Sequence, residues 1–353
     1  MKRVEKLLAA LPKEADAIIV SNERNEKYLS DFAFDDGFLL ITRKKCYLLT
    51  DSRYDEAARA QADPIFEVVR MGKRAEMFAG FFAENGVKKI AFEDYWTTVA
   101  QERTFKSWFG DVELIPAGKI IEDIREYKDE DEIQNIISAQ RIAEKAFDHI
   151  LGFITPERTE QEVALELEFT MRKLGASGLS FPTIAVSGSA SSLPHGVPRP
   201  VKLEKGFLTM DYGCVYNGYC SDMTRTVVIG KADDDMKKLY NTVLEAQLKA
   251  EEALTPGITG AALDKIARDI IDSVPEFKGC FGHSLGHGVG MYIHEAPGVS
   301  GGNDRPMKDG HVITIEPGIY LAGKYGCRIE DMAVFHNGSV EVITRCPKQL
   351  IEL

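Results

Sequence analysis

No apolar run in this sequence approaches the ~20 residues that a helix needs to cross a bilayer, so a membrane span is not expected. The segment from Met1 to Lys13 is too charged, and its apolar part too short, for a secretory leader. Positive charge is not in excess: the formal net charge is −12, and no block of Lys and Arg stands out. Such a surface repels phosphate backbones, so nucleic acid is not an expected partner. The six cysteines include no Cys-x-x-Cys pair, which argues against a disulfide scaffold. They read as reduced packing residues of a cytoplasmic protein, Cys214, Cys220 and Cys327 included. Low-complexity segments and short repeats are missing. Histidine is scarce too, with seven in the chain, so its distribution carries weight.

With 353 residues, 44% hydrophobic and 28% charged, the chain suits a water-soluble protein of two domains. The first third alternates apolar runs (Ala17–Val20, Gly37–Ile41, Tyr47–Leu49, Phe66–Val69, Lys89–Phe92) with helical spacing over Ser52–Ala62 and Arg74–Asn85. That pattern predicts a small α/β domain. A highly charged run, Glu122 to Glu132, leads into a long helix marked by Ile133, Ile136, Ile137, Ile142, Ala146, Phe147 and Ile150. The boundary is therefore placed between residues 122 and 123. Beyond it, helices over Glu160–Leu174, Met236–Leu254 and Gly260–Ser273 mix with strands.

Asn217-Gly218, between two apolar runs, predicts a two-residue hairpin, because both residues tolerate positive φ. Counting outward pairs Tyr216 with Tyr219, Gly213 with Asp222 and Asp211 with Thr224. Alternation then puts Asp211 and Asp222 on one face, diagonal neighbours ~7 Å apart or less. Two aspartates on an exposed hairpin would be unremarkable. In strands apolar enough to be buried they need a counter-charge, which a metal ion supplies. Gly213 would leave room for a close approach.

Three of the histidines, His283, His287 and His294, crowd into one stretch interleaved with Gly282, Gly286, Gly288 and Gly290. So many glycines oppose a helix and favour a bent strand or loop that presents imidazoles to a cleft. A lone histidine is more often structural; three so close favour function. Val312–Ile315 then reads as a buried strand ending in Glu316, and Glu330 falls in a further apolar run. A Glu in such a setting is rarely unpaired.

Met210-Asp211-Tyr212-Gly213, Ser221-Asp222-Met223-Thr224-Arg225, Gly286-His287-Gly288-Val289-Gly290, Ile315-Glu316-Pro317-Gly318 and Arg328-Ile329-Glu330-Asp331 together resemble the five metal-ligand motifs of the pita-bread metallopeptidases, in the family's order. Leu193-Pro194-His195-Gly196 and Ile293-His294-Glu295 resemble its two further histidine motifs. The first 122 residues resemble, in architecture more than motif, the creatinase-like extension of the proline-specific branch, which methionine aminopeptidases lack. The resemblance implies an α+β chain: a small creatinase-like α/β domain (1–122) and a pita-bread catalytic domain (123–353). It implies an Xaa-Pro aminopeptidase or dipeptidase acting on short peptides with proline second, and often a homodimer.

The metal ligands implied are Asp211, Asp222, His287, Glu316 and Glu330, with Asp222 and Glu330 bridging. Four carboxylates and a neutral imidazole carry about −4, which two divalent cations offset. Oxygen ligands with one nitrogen suit Mn²⁺ best, then Co²⁺, Fe²⁺ or Zn²⁺. Such a pair can bring a shared water to a pKa of ~7, making hydroxide available to attack the scissile carbonyl. His195 and His294 are candidate donors to the tetrahedral intermediate, and Glu316 the candidate proton shuttle. Arg328 is expected to orient a ligand carboxylate and, with His283, to border the substrate. Two alternatives are a methionine aminopeptidase-like or broader aminopeptidase, and a non-catalytic binding protein on the same fold. The second conflicts with five intact ligands, though a fold never proves a function.

Overall fold

Six strands build the N-terminal unit: β1 (Ala17–Val20), β2 (Phe38–Thr42), β3 (Cys46–Thr50), β4 (Phe66–Arg70), β5 (Lys89–Phe92) and β6 (Glu113–Pro116). The computed structural model describes residues 3–353. In it these strands form one mixed sheet in the order β4-β3-β2-β1-β5-β6. Ile19, Leu40, Leu49, Phe78, Phe105 and Phe109 close its core. β6, which periodicity did not reveal, is an edge strand with no fully buried side chain. The helices Glu23–Ser30 and Val99–Phe109 were also unanticipated. Polar N-caps start both: Asn22 accepts from Arg24 and Asn25, and Thr98 forms a capping box with Gln101.

The unit ends at Arg125 and the second begins at Glu126, three residues beyond the expected division. Charge was a poor guide there, because part of the charged run is buried. Arg125, Glu126, Lys128 and Glu132 are each 5% exposed or less. Arg125 donates to Asn25 at 2.7 Å, which ties the helix Ile120–Arg125 to the first unit.

The C-terminal unit contains β7 (Gly178–Leu179), β8 (Ile184–Ser187), β9 (Gly206–Tyr212), β10 (Cys214–Tyr216), β11 (Tyr219–Cys220) and β12 (Met223–Ile229). After these come β13 (Gly286–Gly288), β14 (Glu295–Val299), β15 (Val312–Ile315), β16 (Gly318–Leu321), β17 (Tyr325–Arg328), β18 (Asp331–His336) and β19 (Ser339–Val342). β8, β9 and β12 form one antiparallel sheet, and β14-β13-β15-β18-β19 another. The helices Glu130–Phe153 and Glu160–Lys173 share a core with the first sheet. Those over Asp234–Glu252 and Gly260–Ser273 share one with the second. Among the described residues no helix is long and apolar enough to cross a membrane.

These two halves repeat one plan at a spacing too long to register as a short repeat. Thr159 and Thr259 each cap the second helix of their pair. Each also forms an isolated bridge to the chain ahead of the next long strand, with Lys202 and Pro306. The backbone bonds Leu203 N–H to Arg158 O and Met307 N–H to Ile258 O, both 2.8 Å, match likewise. Each half thus delivers one strand pair, β9–β12 or β15–β18, to the middle of the unit.

Candidate metal centre

The hairpin adopts the register that alternation requires: Tyr216 faces Tyr219 and Asp211 faces Thr224. Between these pairs the ladder is interrupted at Gly213, where a Cβ would lie 1.9 Å from the Ser221 carbonyl oxygen. Gly213 therefore admits the chain's own backbone rather than a ligand. In the second half β15 ends at Ile315, opposite Asp331. Glu316 and Glu330 follow in register, just outside the strands. Glu330 was expected inside a strand and instead sits in the break between β17 and β18. His287 is the middle residue of β13, which lies between β14 and β15. Cβ atoms at Gly286 and Gly288 would come 2.1 Å from Thr314 O and 2.4 Å from Ala296 O. The glycines thus let three strands close around an imidazole.

Asp211, Asp222, His287, Glu316 and Glu330 all line one cleft of ≈ 510 Å³. Asp222, His287 and Glu330 each present a ligand atom within 4.8 Å of the other two. His287 Nε2 lies 3.5 Å from Asp222 Oδ2 and 3.3 Å from Glu316 Oε1. Burial and the neighbouring acids push Asp222 and Glu330 far above the usual carboxylate range. Burial lifts Glu316 to about 8 despite the opposing pull of Arg328. Burial also lowers His287 to about 4, leaving its imidazole neutral.

Hydroxyls hold the acids in place. Thr224 donates to Glu330 Oε2 at 2.7 Å and Thr314 to Glu316 Oε1 at 3.0 Å. Arg328 donates to Asp211 Oδ2 at 2.6 Å, Thr224 Oγ1 at 3.0 Å and the Tyr320 hydroxyl at 2.6 Å. Nevertheless Asp211 Oδ1, Asp222 Oδ1 and Glu330 Oε1 are buried with no hydrogen-bond partner among the described residues. A buried carboxylate oxygen left this way costs several kcal/mol, roughly, unless a cation meets it.

His195, His283 and His294 line the same cleft. The His294 ring stands edge-on to that of His287, with centroids 4.3 Å apart. His283 accepts from or donates to the Tyr320 hydroxyl at 3.0 Å. Burial lowers His283 to about 4, and it lowers His294 as well, with His195 adding to the effect. Of the two, His283 already donates its Nδ1–H to the Ser284 carbonyl oxygen at 2.8 Å.

Residues 134–337 match metallopeptidase family M24, and residues 2–127 match the creatinase/prolidase N-terminal domain. The chain belongs to family M24. This M24 chain is 41% identical to an Xaa-Pro dipeptidase from Bacillus anthracis, with 99% of each chain covered and a TM-score of 0.94. It is 37% identical to an X-Pro aminopeptidase from Thermotoga maritima, over 100% of each chain at a TM-score of 0.93. It also shares 35% identity with an Xaa-Pro dipeptidase from Pyrococcus horikoshii, over 99% of each chain. The fold is the α+β architecture expected: a creatinase-like N-terminal domain followed by the pita-bread catalytic domain. An M24 metallopeptidase works with divalent metal ions, and the donor set here fits them, with Asp222, His287 and Glu330 presenting ligand atoms to one another and three buried carboxylate oxygens of the cleft left without partners.

Motif reading passed over Thr224, Thr314 and Tyr320, which brace the acids and Arg328. Alternation could have found Thr224, since it faces Asp211 across the hairpin. It also passed over an apolar wall of Phe181, Pro182, Ile184, Val197, Pro198 and Ile293. Most of that wall lies outside regular elements, where no periodicity marks it.

Proposed function

We propose that this M24 peptidase hydrolyses the Xaa-Pro bond at the amino end of short peptides, as a dipeptidase or an aminopeptidase. Two divalent cations, Mn²⁺ before Co²⁺, Fe²⁺ or Zn²⁺, would be held by Asp211, Asp222, His287, Glu316 and Glu330. The observation that carries this is the trio of buried, partnerless oxygens on Asp211, Asp222 and Glu330. Charge supports two cations: four carboxylates against one guanidinium leave a deficit that a single dication does not meet. When bound, the pair supplies a water acidified toward neutrality and a Lewis acid for the scissile carbonyl.

The chain's own groups do the rest. His195 and His294 donate hydrogen bonds to the oxyanion and the departing nitrogen. Glu316, its Oε1 held by Thr314, takes the proton that the attacking water gives up and returns it to the departing nitrogen. Arg328 keeps Asp211 oriented through its 2.6 Å bond, and His283 borders the substrate. An Xaa-Pro amide has no N–H to offer, so an apolar wall suits its ring better than acceptors do. Phe181, Pro182, Ile184, Val197, Pro198 and Ile293 form such a wall.

A panel of Ala-Pro, Ala-Pro-Ala and Met-Ala-Ser, assayed after chelator dialysis and Mn²⁺ re-addition, tests the reading. Metal-dependent cleavage of Ala-Pro alone means dipeptidase, and cleavage of Ala-Pro-Ala as well means aminopeptidase. Release of methionine alone would overturn the proline assignment. A cytoplasmic homodimer belongs to the same reading, and sedimentation analysis checks the dimer.

A further inference from the structure

The charged run before the long helix places a lysine where a lysine is costly. Lys128 is 5% exposed, and its side chain 1%. Its backbone N–H is fixed to Gly310 O at 2.9 Å. Its ammonium lies 3.3 Å from the Glu126 carbonyl and 3.5 Å from Glu295 Oε2. Glu295 is itself largely buried, and its Oε1 accepts from the Tyr292 backbone at 2.7 Å. That bond closes the short turn Tyr292-Ile293-His294-Glu295. The turn is held from behind as well, by Gly290 N–H to Tyr292 O at 3.1 Å and Cys220 N–H to Gly290 O at 2.8 Å. A Cβ at Gly290 would sit 2.6 Å from Glu295 Oε2, so glycine is needed for the carboxylate to seat there.

We propose that Lys128 is a positioning residue for catalysis: by pairing with Glu295 it locks the turn that holds the His294 imidazole beside His287. A buried carboxylate deprived of its ammonium swings toward water, and the Tyr292 N–H goes with it. His294, one residue from Glu295, then loses its fixed place over the cleft. An oxyanion donor displaced by ~1 Å loses on the order of 10²-fold in rate. The proposal rests on the reading of His294 as a donor to the transition state.

The test compares Lys128→Met, Lys128→Arg and Glu295→Gln with the parent enzyme on Ala-Pro, and repeats Lys128→Met in a His294→Ala background. Lys128→Met is expected to lower kcat by roughly 10- to 100-fold, with KM changed less than about threefold and metal content unchanged. Lys128→Arg should recover most of the loss. Without His294 the further loss should be under about twofold, because both changes act on one group. A readout independent of turnover is the ring C–H resonance of His294 in the metal-free protein, assigned by its disappearance in His294→Ala. It should shift in Lys128→Met and Glu295→Gln, while those of His149 and His336, on other elements, stay in place. An unmoved His294 resonance, or an equal loss of kcat with and without His294, overturns the proposal. If the parent enzyme leaves Ala-Pro intact, the functional reading fails separately, and the resonance still decides whether Lys128 positions His294.

Discussion

Glu160 and Glu330 are both acids 1% exposed or less in the same unit, yet they live in opposite surroundings. Glu160 Oε1 accepts from Ser187 N at 2.7 Å, Ser187 Oγ at 2.9 Å and Arg199 Nη2 at 2.6 Å. Its Oε2 accepts from Arg199 N and Nε, both at 2.9 Å. Burial works to raise its pKa, but those bonds outweigh it, and the group is held below the usual range. Glu330 has a single hydroxyl on Oε2 and nothing among the described residues on Oε1. Burial and neighbouring acids hold it far above that range. One unit thus holds a fully satisfied buried carboxylate in Glu160 and starved ones in Asp211, Asp222 and Glu330, and the second kind is what the proposed metal site requires.

Asp222→Ala should reduce hydrolysis of the preferred peptide by at least ~10³-fold with circular dichroism unchanged. Turnover close to the parent's would remove Asp222 from the site. In chelator-treated protein the same variant should unfold no earlier than the parent, since it relieves repulsion. Metal added at ~100 times its Kd should stabilise the parent by about 2.7 kcal/mol and the variant far less. His195→Ala should leave metal content near normal and lower kcat by roughly 10²- to 10³-fold. If lost metal accounts for that defect, His195 is not a donor.

Glu160→Gln should do the reverse of Asp222→Ala. It should cost about 3 kcal/mol in denaturant unfolding and leave kcat per folded molecule unchanged. Equal behaviour of the two variants would erase the distinction. The smallest effect concerns Glu126, where burial pushes upward but the His311 imidazole 3.3 Å away and the hydrogen-bonded Arg305 guanidinium prevail and hold the group at about 2. A folded-state pKa below the ordinary 4.5 means stability that is present above pH 4.5 and lost as pH falls toward 2. Glu126→Gln should therefore unfold more easily than the parent near pH 6, by about 1 kcal/mol once solvent screening is allowed for. The two unfolding curves should converge in strong acid.

Much of the candidate site could be placed from the sequence because its proposed ligands sit in strands, or one residue from them, where period-two alternation and a two-residue turn set direction. Asp211 and Asp222 could be placed on one face that way. Glu330 was harder, because the chain breaks between β17 and β18 and alternation stops there. The braces from Thr224, Thr314 and Tyr320 are contacts between elements far apart in sequence, which no local pattern encodes. The run Glu122 to Glu132 misled for a related reason: charge predicts exposure only until a partner covers it, as Asn25 does for Arg125 and Arg305 for Glu126.

Residue chemistry and backbone periodicity were enough to give the candidate acids and imidazoles, their order and their local facing. Tertiary structure decided that two like halves each bring a strand pair to one place, which carboxylate oxygens go without partners, and where the apolar wall stands. Those are properties of convergence, because burial and hydrogen-bond satisfaction depend on everything that surrounds an atom and only a little on its neighbours along the chain.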